Sequence, residues 1–296
     1  MPQAVVSARA LSKSFPTKHV LHDISVEVEP GDIVGVLGKN GAGKTTLLEL
    51  LLGFSIPTSG SAEIFGERST DLSAAAKKRI AFVAQQDELI EIFTGAQHLA
   101  LTAAFYDQWD HALVERLSRE WEVPLTRRVQ TLSVGERQKL SLLLALGAHP
   151  ELLVLDEPVA SLDPIARRQF ITEIVDRARG TQSTVLFSSH IVSDLERAAN
   201  KVWIVKDGRL AWAGDLDALK ESVVRLHIHG RRALPRDLRV PDALTSRIDG
   251  TRATVAATHW TSERTAAVAA HLDADLDADL EVESLALEDI FLELHR

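Results

Sequence analysis

The sequence predicts an α/β fold: a mainly parallel sheet covered by helices on both faces, followed by a small α+β domain. Three observations predict it. Short apolar runs alternate with helix-length segments as far as about Lys201. One run, Asp32-Ile33-Val34-Gly35-Val36-Leu37, leads through a glycine-rich loop, Gly38 to Thr46, into the apolar stretch Leu47 to Leu52. Beyond Lys201 the alternation stops, and from about Ser222 the chain is richer in Arg, His and Asp.

Taken in order, Val5 to Ser14 and Val20 to Val28 read as strands. In the second, Leu21, Ile24, Val26 and Val28 alternate with His22, Ser25, Glu27 and Glu29. Pro16 and Pro30-Gly31 mark turns. The strand before the glycine loop and the helix after it follow, the helix ending near Gly53. Ser61 to Phe65 reads as an edge strand, Leu72 to Lys78 as a helical turn or two, and Arg79 to Ala84 as a strand. Helices are expected at Thr94 to Phe105 and Asp110 to Trp121. Leu113, Leu117 and Trp121 share a face of the second, with Asp107 or Asp110 as N-cap. Glu136 to Gly147 (helix), Leu152 to Leu155 (strand), Pro164 to Arg177 (helix, proline in its first turn), Thr184 to Phe187 (strand) and Ile191 to Ala199 (helix) complete the alternation. Val202 to Val205 and Arg209 to Ala213 form a hairpin across Asp207-Gly208. In the tail, strands are expected at Val223 to His229 and Ala253 to Ala257, and a helix at Ser262 to Ala270.

Composition narrows the class. The 296 residues suit two domains, divided as 1–220 and 221–296, and 45% hydrophobic with 25% charged residues suits a folded globular chain. With no cysteine there is no disulfide and no thiolate metal site, in keeping with a cytosolic location. Met1 to Leu11 lacks the basic segment and apolar core of a signal peptide, and no apolar run reaches the ~18 residues of a membrane span. A net charge of −9 argues against nonspecific binding to nucleic acid.

The loop Gly38-Lys39-Asn40-Gly41-Ala42-Gly43-Lys44-Thr45-Thr46 carries the first chemistry. Its glycines let the backbone curl around a phosphate, and its amides and the following helix N-terminus supply positive potential. Lys44 reaches β- and γ-phosphate oxygens, and Thr45 is suited to Mg²⁺. The strand Leu152 to Leu155 ends in Asp156-Glu157. Beside a phosphate loop, Asp156 is suited to hold Mg²⁺ through water and Glu157 to polarise an attacking water.

From about Val5 to Asp215 the chain resembles the nucleotide-binding subunit of ABC transporters, because five motifs stand in that family's order. The phosphate loop is followed by Ile80-Ala81-Phe82-Val83-Ala84-Gln85 (the Q-loop) and Leu132-Ser133-Val134-Gly135-Glu136 (the signature). The Asp156-Glu157 strand with Ala160-Ser161-Leu162-Asp163 (the D-loop) and Ser189-His190 (the switch histidine) complete the set. The resemblance implies a P-loop NTPase core with an antiparallel β subdomain and a helical subdomain at about 86–150. It implies that Phe15 stacks on adenine, that Gln85 contacts Mg²⁺ and senses a partner subunit, and that His190 contacts the γ-phosphate. Asp163 would bridge two nucleotide-binding domains. Ser133, Gly135 and Glu136 would act in trans on the ATP of a second ABC ATPase subunit, so a homodimer or heterodimer is implied.

The signature departs from the commonest form, Leu-Ser-Gly-Gly-Gln, at Val134 and Glu136. Glu136 puts negative charge near a phosphate while favouring the helix dipole. Ser284 to Leu294 resembles the ending of subunits that serve export-type (ABC-2-like) permeases, and Ala104 to Asp110 is similar to a segment near bacterial antibiotic-response exporters.

The resemblance thus implies a cytoplasmic ATP hydrolase with ATP and Mg²⁺ as cofactors, peripheral on the inner or plasma membrane through an integral membrane permease. That partner would sit in a groove beside Gln85, within Gln86 to Trp121. A soluble ABC ATPase of the translation or DNA-repair type and an importer subunit remain open alternatives. Two weaker patterns point to no metal. Asp273, Asp275, Asp277 and Asp279 lack the glycine of a calcium loop and read as a solvated acidic strand or turn, and His227 and His229 share a strand face without a third ligand.

Overall fold

The computed structural model describes residues 3–181 and 183–295; the side chains of 181 and 273–275, and residues 1 and 2 of the stretch read as lacking a leader, lie outside that description. The chain divides into two compact units, Met1–Ala213 and Gly214–Arg296.

In the first unit, β1 (Val6–Phe15) and β2 (Lys18–Val28) form an antiparallel hairpin whose register runs from Val6↔Val28 to Phe15↔Lys18. β3 (Ile33–Leu37) is buried at all five positions, as a central parallel strand must be. α1 (Lys44–Leu51) follows the glycine loop. β4 (Ser59–Ile64) pairs with the free side of β1, and β5 (Glu67–Arg68) extends it, giving the order β2-β1-β4-β5. A short α2 (Ala74–Lys77), capped by Ser73, leads into β6 (Ile80–Val83).

The helical region holds α3 (Gly95–Ala103), α4 (His111–Glu120) and α5 (Val134–Gly147). Each begins at a side-chain cap: Thr94 with Gln97, Asp110, and Ser133 with Glu136. Asp110, not Asp107, caps α4; Asp107 instead meets Lys78 at 2.8 Å. On α4 the buried face is Val114 and Leu117, with Trp121 beyond it edge-on to Phe170 at 6.2 Å.

β7 (Leu152–Leu155), α6 (Pro164–Thr181), β8 (Thr184–Ser189), α7 (Val192–Ala198), β9 (Lys201–Lys206) and β10 (Arg209–Asp215) complete a six-stranded sheet in the order β10-β9-β3-β8-β7-β6. Strands β6, β7, β8, β3 and β9 run parallel. Asp207 and Gly208, both at positive φ (49° and 73°), make the two-residue turn before β10. A glycine is needed at Gly35, because a Cβ there would lie 2.2 Å from Leu195 of α7. α1 buries Leu47, Leu48, Leu50 and Leu51. At about 1.5–3 kcal/mol per buried leucine, this outweighs the ~1 kcal/mol forgone by leaving its N-terminus without a side-chain cap.

The second unit begins with α8 (Leu216–Ser222), whose N-cap is Asp215. β11 (Val224–Gly230), β12 (Ala243–Asp249), β13 (Arg252–Ala257), α9 (Ser262–Leu276), β14 (Ala278–Ser284) and α10 (Leu287–Leu294) follow. The antiparallel sheet has the order β12-β13-β11-β14 over a core that includes Leu226, Ile228, Val255, Trp260 and Leu272. The acidic run is not one strand or turn: α9 continues to Leu276, Asp277 closes it at φ 49°, and β14 starts at Ala278. The side chains of Asp273 and Asp275 lie outside the described residues. Among the described residues no cluster of three His, Cys, Asp or Glu could hold a metal.

Candidate functional site

The site is built where β3, β7 and β8 end together. Leaving β3, the chain turns through Gly41 (φ 79°) and Gly43 (φ 107°), backbone that side chains rarely adopt. Gly43 is also the N-cap of α1 and provides no side-chain cap, so the first amides of α1 remain available to an anion. The Lys39 carbonyl accepts from the Ala42 amide at 3.1 Å, closing the loop. Asn40, Gly41, Gly43, Lys44, Thr45 and Thr46 line a cavity of about 370 Å³, joined by Gln85 and Glu157.

Lys44 is buried and donates to the Gly38 carbonyl at 2.9 Å. Its ammonium lies 3.3 Å from Oε1 of Glu157, also buried. Glu157 sits in the left-handed region (φ 49°), a conformation that needs support from its neighbours. That support comes from two sides: Nδ1 of His190 lies 2.6 Å from Oε2, and the Glu157 amide donates to Ser188 Oγ at 2.8 Å. Ser188 in turn donates to Oδ1 of Asp156 at 2.5 Å. Lys44, Asp156, Glu157, Ser188 and His190 are therefore one bonded cluster.

Ser188 is missing from the residues singled out by sequence. The available signal was a pair of serines, Ser188-Ser189, closing a strand that is buried throughout. Lys18 and Val20 of the β1–β2 hairpin also line the cavity, again without a sequence signal. Phe15 is the cross-strand partner of Lys18; it is 46% exposed and carries the Lys13 ammonium 5.0 Å from its ring centre.

Other sequence candidates stand elsewhere. Ser133, Gly135 and Glu136 open α5 and are not part of this cavity's lining. Ser133 Oγ accepts from the Glu136 amide at 3.2 Å, and the Glu136 carboxylate accepts from the Ser133 amide at 2.7 Å. Chiefly that amide, with help from Ser133 Oγ and Arg127, holds the Glu136 carboxyl below the ordinary glutamate range. A Cβ on Gly135 would stand 3.0 Å from the Ser161 carbonyl, so the start of α5 lies against the turn that ends in Asp163. Asp163 accepts from the Ala166 and Ile165 amides at the start of α6, and the Ala166 bond foremost lowers its pKa. Val134 and Ile165, beside these two turns, are 67% and 73% exposed.

A smaller cavity of about 200 Å³ lies beyond β6, with Ala84, Asp87, Leu89, Thr102, Tyr106 and Leu144 among its walls. Leu101 and Phe105 on the neighbouring helix end are exposed. Among the described residues no helix is long and apolar enough to cross a membrane.

The arrangement can bind a polyphosphate and activate a water beside it. The uncapped α1 amides, Lys44 and the glycine loop fit a nucleoside triphosphate; Thr45 and Gln85 in the cavity wall, with Asp156 at the end of β7, are oxygen donors of the kind that could hold Mg²⁺. Comparison with known proteins agrees with this chemistry. Residues 21–160 match the sequence profile of the ABC transporter family. The ABC transporter ATP-binding protein YtrB of Bacillus subtilis is 31% identical over 224 residues, 76% of each chain. The Nod factor export ATP-binding protein I of Burkholderia lata is 35% identical over 230 residues, 76% of this chain and 75% of that protein. A solved structure of the ATP-binding subunit of an ABC transporter superposes with a TM-score of 0.65 at 29% identity, over 72% of this chain and 90% of that one.

Proposed function

The chain belongs to the family of ABC transporter ATP-binding subunits, and from that premise we propose that it binds and hydrolyses Mg-ATP to power export through a separate membrane permease. The observation that carries the catalytic part is the pair Lys44 and Glu157 in the wall of the cavity, with His190 bonded to Glu157 and Asp156 tied to it through Ser188.

The mechanism follows from these residues. The loop amides from Gly38 to Thr46 and the start of α1 hold the phosphates. Lys44 leaves Glu157 for the β- and γ-phosphate oxygens and offsets the charge that grows there. Thr45, Asp156 and Gln85 would hold Mg²⁺, which supplies further charge neutralisation when bound. Glu157, released from Lys44, accepts a hydrogen bond from a water and orients it in line with the γ-phosphorus. His190 keeps the Glu157 carboxylate aimed and contacts the γ-phosphate. Phe15 offers an aromatic face to adenine.

Ser133 and Gly135 are not part of their own chain's cavity, and the exposed Val134 and Ile165 flank them. This supports a dimer in which each signature turn completes the other subunit's site and Asp163 lies at the contact. The groove beyond β6, with Leu101 and Phe105 beside it, suits a short apolar segment of the permease. Such an assembly would hold the chain at the cytoplasmic face of the membrane, with the second unit, Gly214–Arg296 rather than the expected 221–296, as an accessory domain. The relative named for Nod factor export supports the outward direction. The test is recovery of the tagged chain from detergent-solubilised membranes together with an integral membrane subunit that raises its ATPase rate. Full activity in cells lacking any such subunit would refute it.

A further inference from the structure

We propose that Arg127 is a positioning residue that makes this acidic signature compatible with ATP, by neutralising Glu136 at the site where a second subunit's γ-phosphate must dock. The inference rests on the trans reading of Ser133 and Gly135 given above.

Glu136 sits in the first turn of α5 beside Ser133, the group expected to face phosphate. A carboxylate there would repel a phosphate carrying several negative charges. The structure answers this repulsion twice. Oε2 of Glu136 is turned back to accept from the Ser133 amide at 2.7 Å. Oε1 receives Nη1 of Arg127 at 3.1 Å. Arg127 is itself fixed, since its Nη2 donates to the Thr131 carbonyl. Its own backbone is anchored, with its carbonyl accepting from the Gly95 amide at 3.4 Å.

The charge of Glu136 is thus matched locally, and its oxygens are drawn toward the protein. Both side chains are partly exposed, 48% for Arg127 and 29% for Glu136, so the pair adds little to folding but still shapes the local potential. A glutamine at position 136 would need no such partner.

The experiment uses the full chain carrying E157Q, which should accumulate as an ATP-bound dimer, followed by sedimentation in Mg-ATP. Adding R127A should weaken dimerisation about tenfold, with a smaller loss at high salt, as expected for a partly exposed charge. R127K should retain most of the dimer. R127A with E136Q should dimerise as tightly as E136Q alone, because there is no longer a charge to neutralise. If R127A dimerises like its parent, or if E136Q fails to rescue it, Arg127 is at most a strut for Thr131 and the inference falls. S133R separates this failure from that of the underlying reading. If S133R leaves the dimer intact, or if E157Q alone never dimerises, the trans signature itself is wrong and the inference fails with it.

Discussion

Ser188→Ala is the sharpest single perturbation of the catalytic cluster. Ser188 is fully buried, and its hydroxyl makes two bonds: it donates to Asp156 Oδ1 at 2.5 Å and accepts from the Glu157 amide at 2.8 Å. A hydrogen bond to a charged group contributes about 1.5–3 kcal/mol, and a buried amide left without a partner costs about 1–3 kcal/mol. Losing both should cost about 2.5–6 kcal/mol, a large share of the ~5–15 kcal/mol of a typical domain. Almost no volume is lost, so a cavity contributes little. Urea unfolding should show the midpoint falling by about 1–2 M. Hydrolysis should fall through kcat more than KM, because Asp156 and the strained Glu157 lose their common anchor while the phosphate loop is untouched. S188T should restore most of kcat while remaining destabilised by about 1–3 kcal/mol from its extra methyl in a closed site. A Ser188→Ala protein with unchanged midpoint and kcat would refute the reasoning.

Other consequences are equally open to measurement. Lys44→Ala should weaken ATP binding at least ~10-fold in calorimetry, since Lys44 supplies the buried cation of the cavity; unchanged affinity would contradict the phosphate-loop assignment. Arg225→Ala should destabilise the second unit by about 2–4 kcal/mol, because Arg225 faces buried Glu293 at 3.3 Å; hydrogen exchange of β11 amides reads the change. Glu136 and Asp163 have pKa values held down chiefly by the amides of Ser133 and Ala166, so their contribution is complete above the ordinary carboxylate pKa of ~4. That contribution is lost as pH falls through the lowered values. Acid unfolding below about pH 4 should therefore be less steep in E136Q than in the parent.

The first unit was far more legible in the sequence than the second, and the reason is physical. β3, β7 and β8 are buried on both faces, so each is written around a short apolar run, Val185 to Phe187 in the case of β8. The glycine loop declares itself because Gly41 and Gly43 adopt backbone that other residues avoid. In the second unit β12 escaped notice because it is an edge strand, Ala243-Leu244-Thr245-Ser246-Arg247-Ile248-Asp249, with most side chains exposed and no clear alternation. α8 escaped because a helix of seven residues spans too few turns for a periodic stripe. The acidic repeat misled because every second Asp imitates a strand, while α9 is set by its cap at Thr261 and carries on through Leu276.

In the site, the charged residues were legible and their connections were not. Lys44, Asp156, Glu157 and His190 stand in recognisable motifs, but only the fold brings Ser188 between two of them. Glu136 showed as a departure, whereas Arg127, nine positions earlier, acquired meaning once the turn placed it 3.1 Å away. Side-chain pairing across loops leaves no period in a sequence.

The central claim is that Glu157 activates water in a site completed by a second subunit. The direct measurement is ATP binding, steady hydrolysis and sedimentation of the purified E157Q chain in Mg-ATP. The account predicts retained binding, no steady turnover and a stable dimer. Hydrolysis at the wild-type rate, or a protein that binds ATP and remains monomeric, would contradict it.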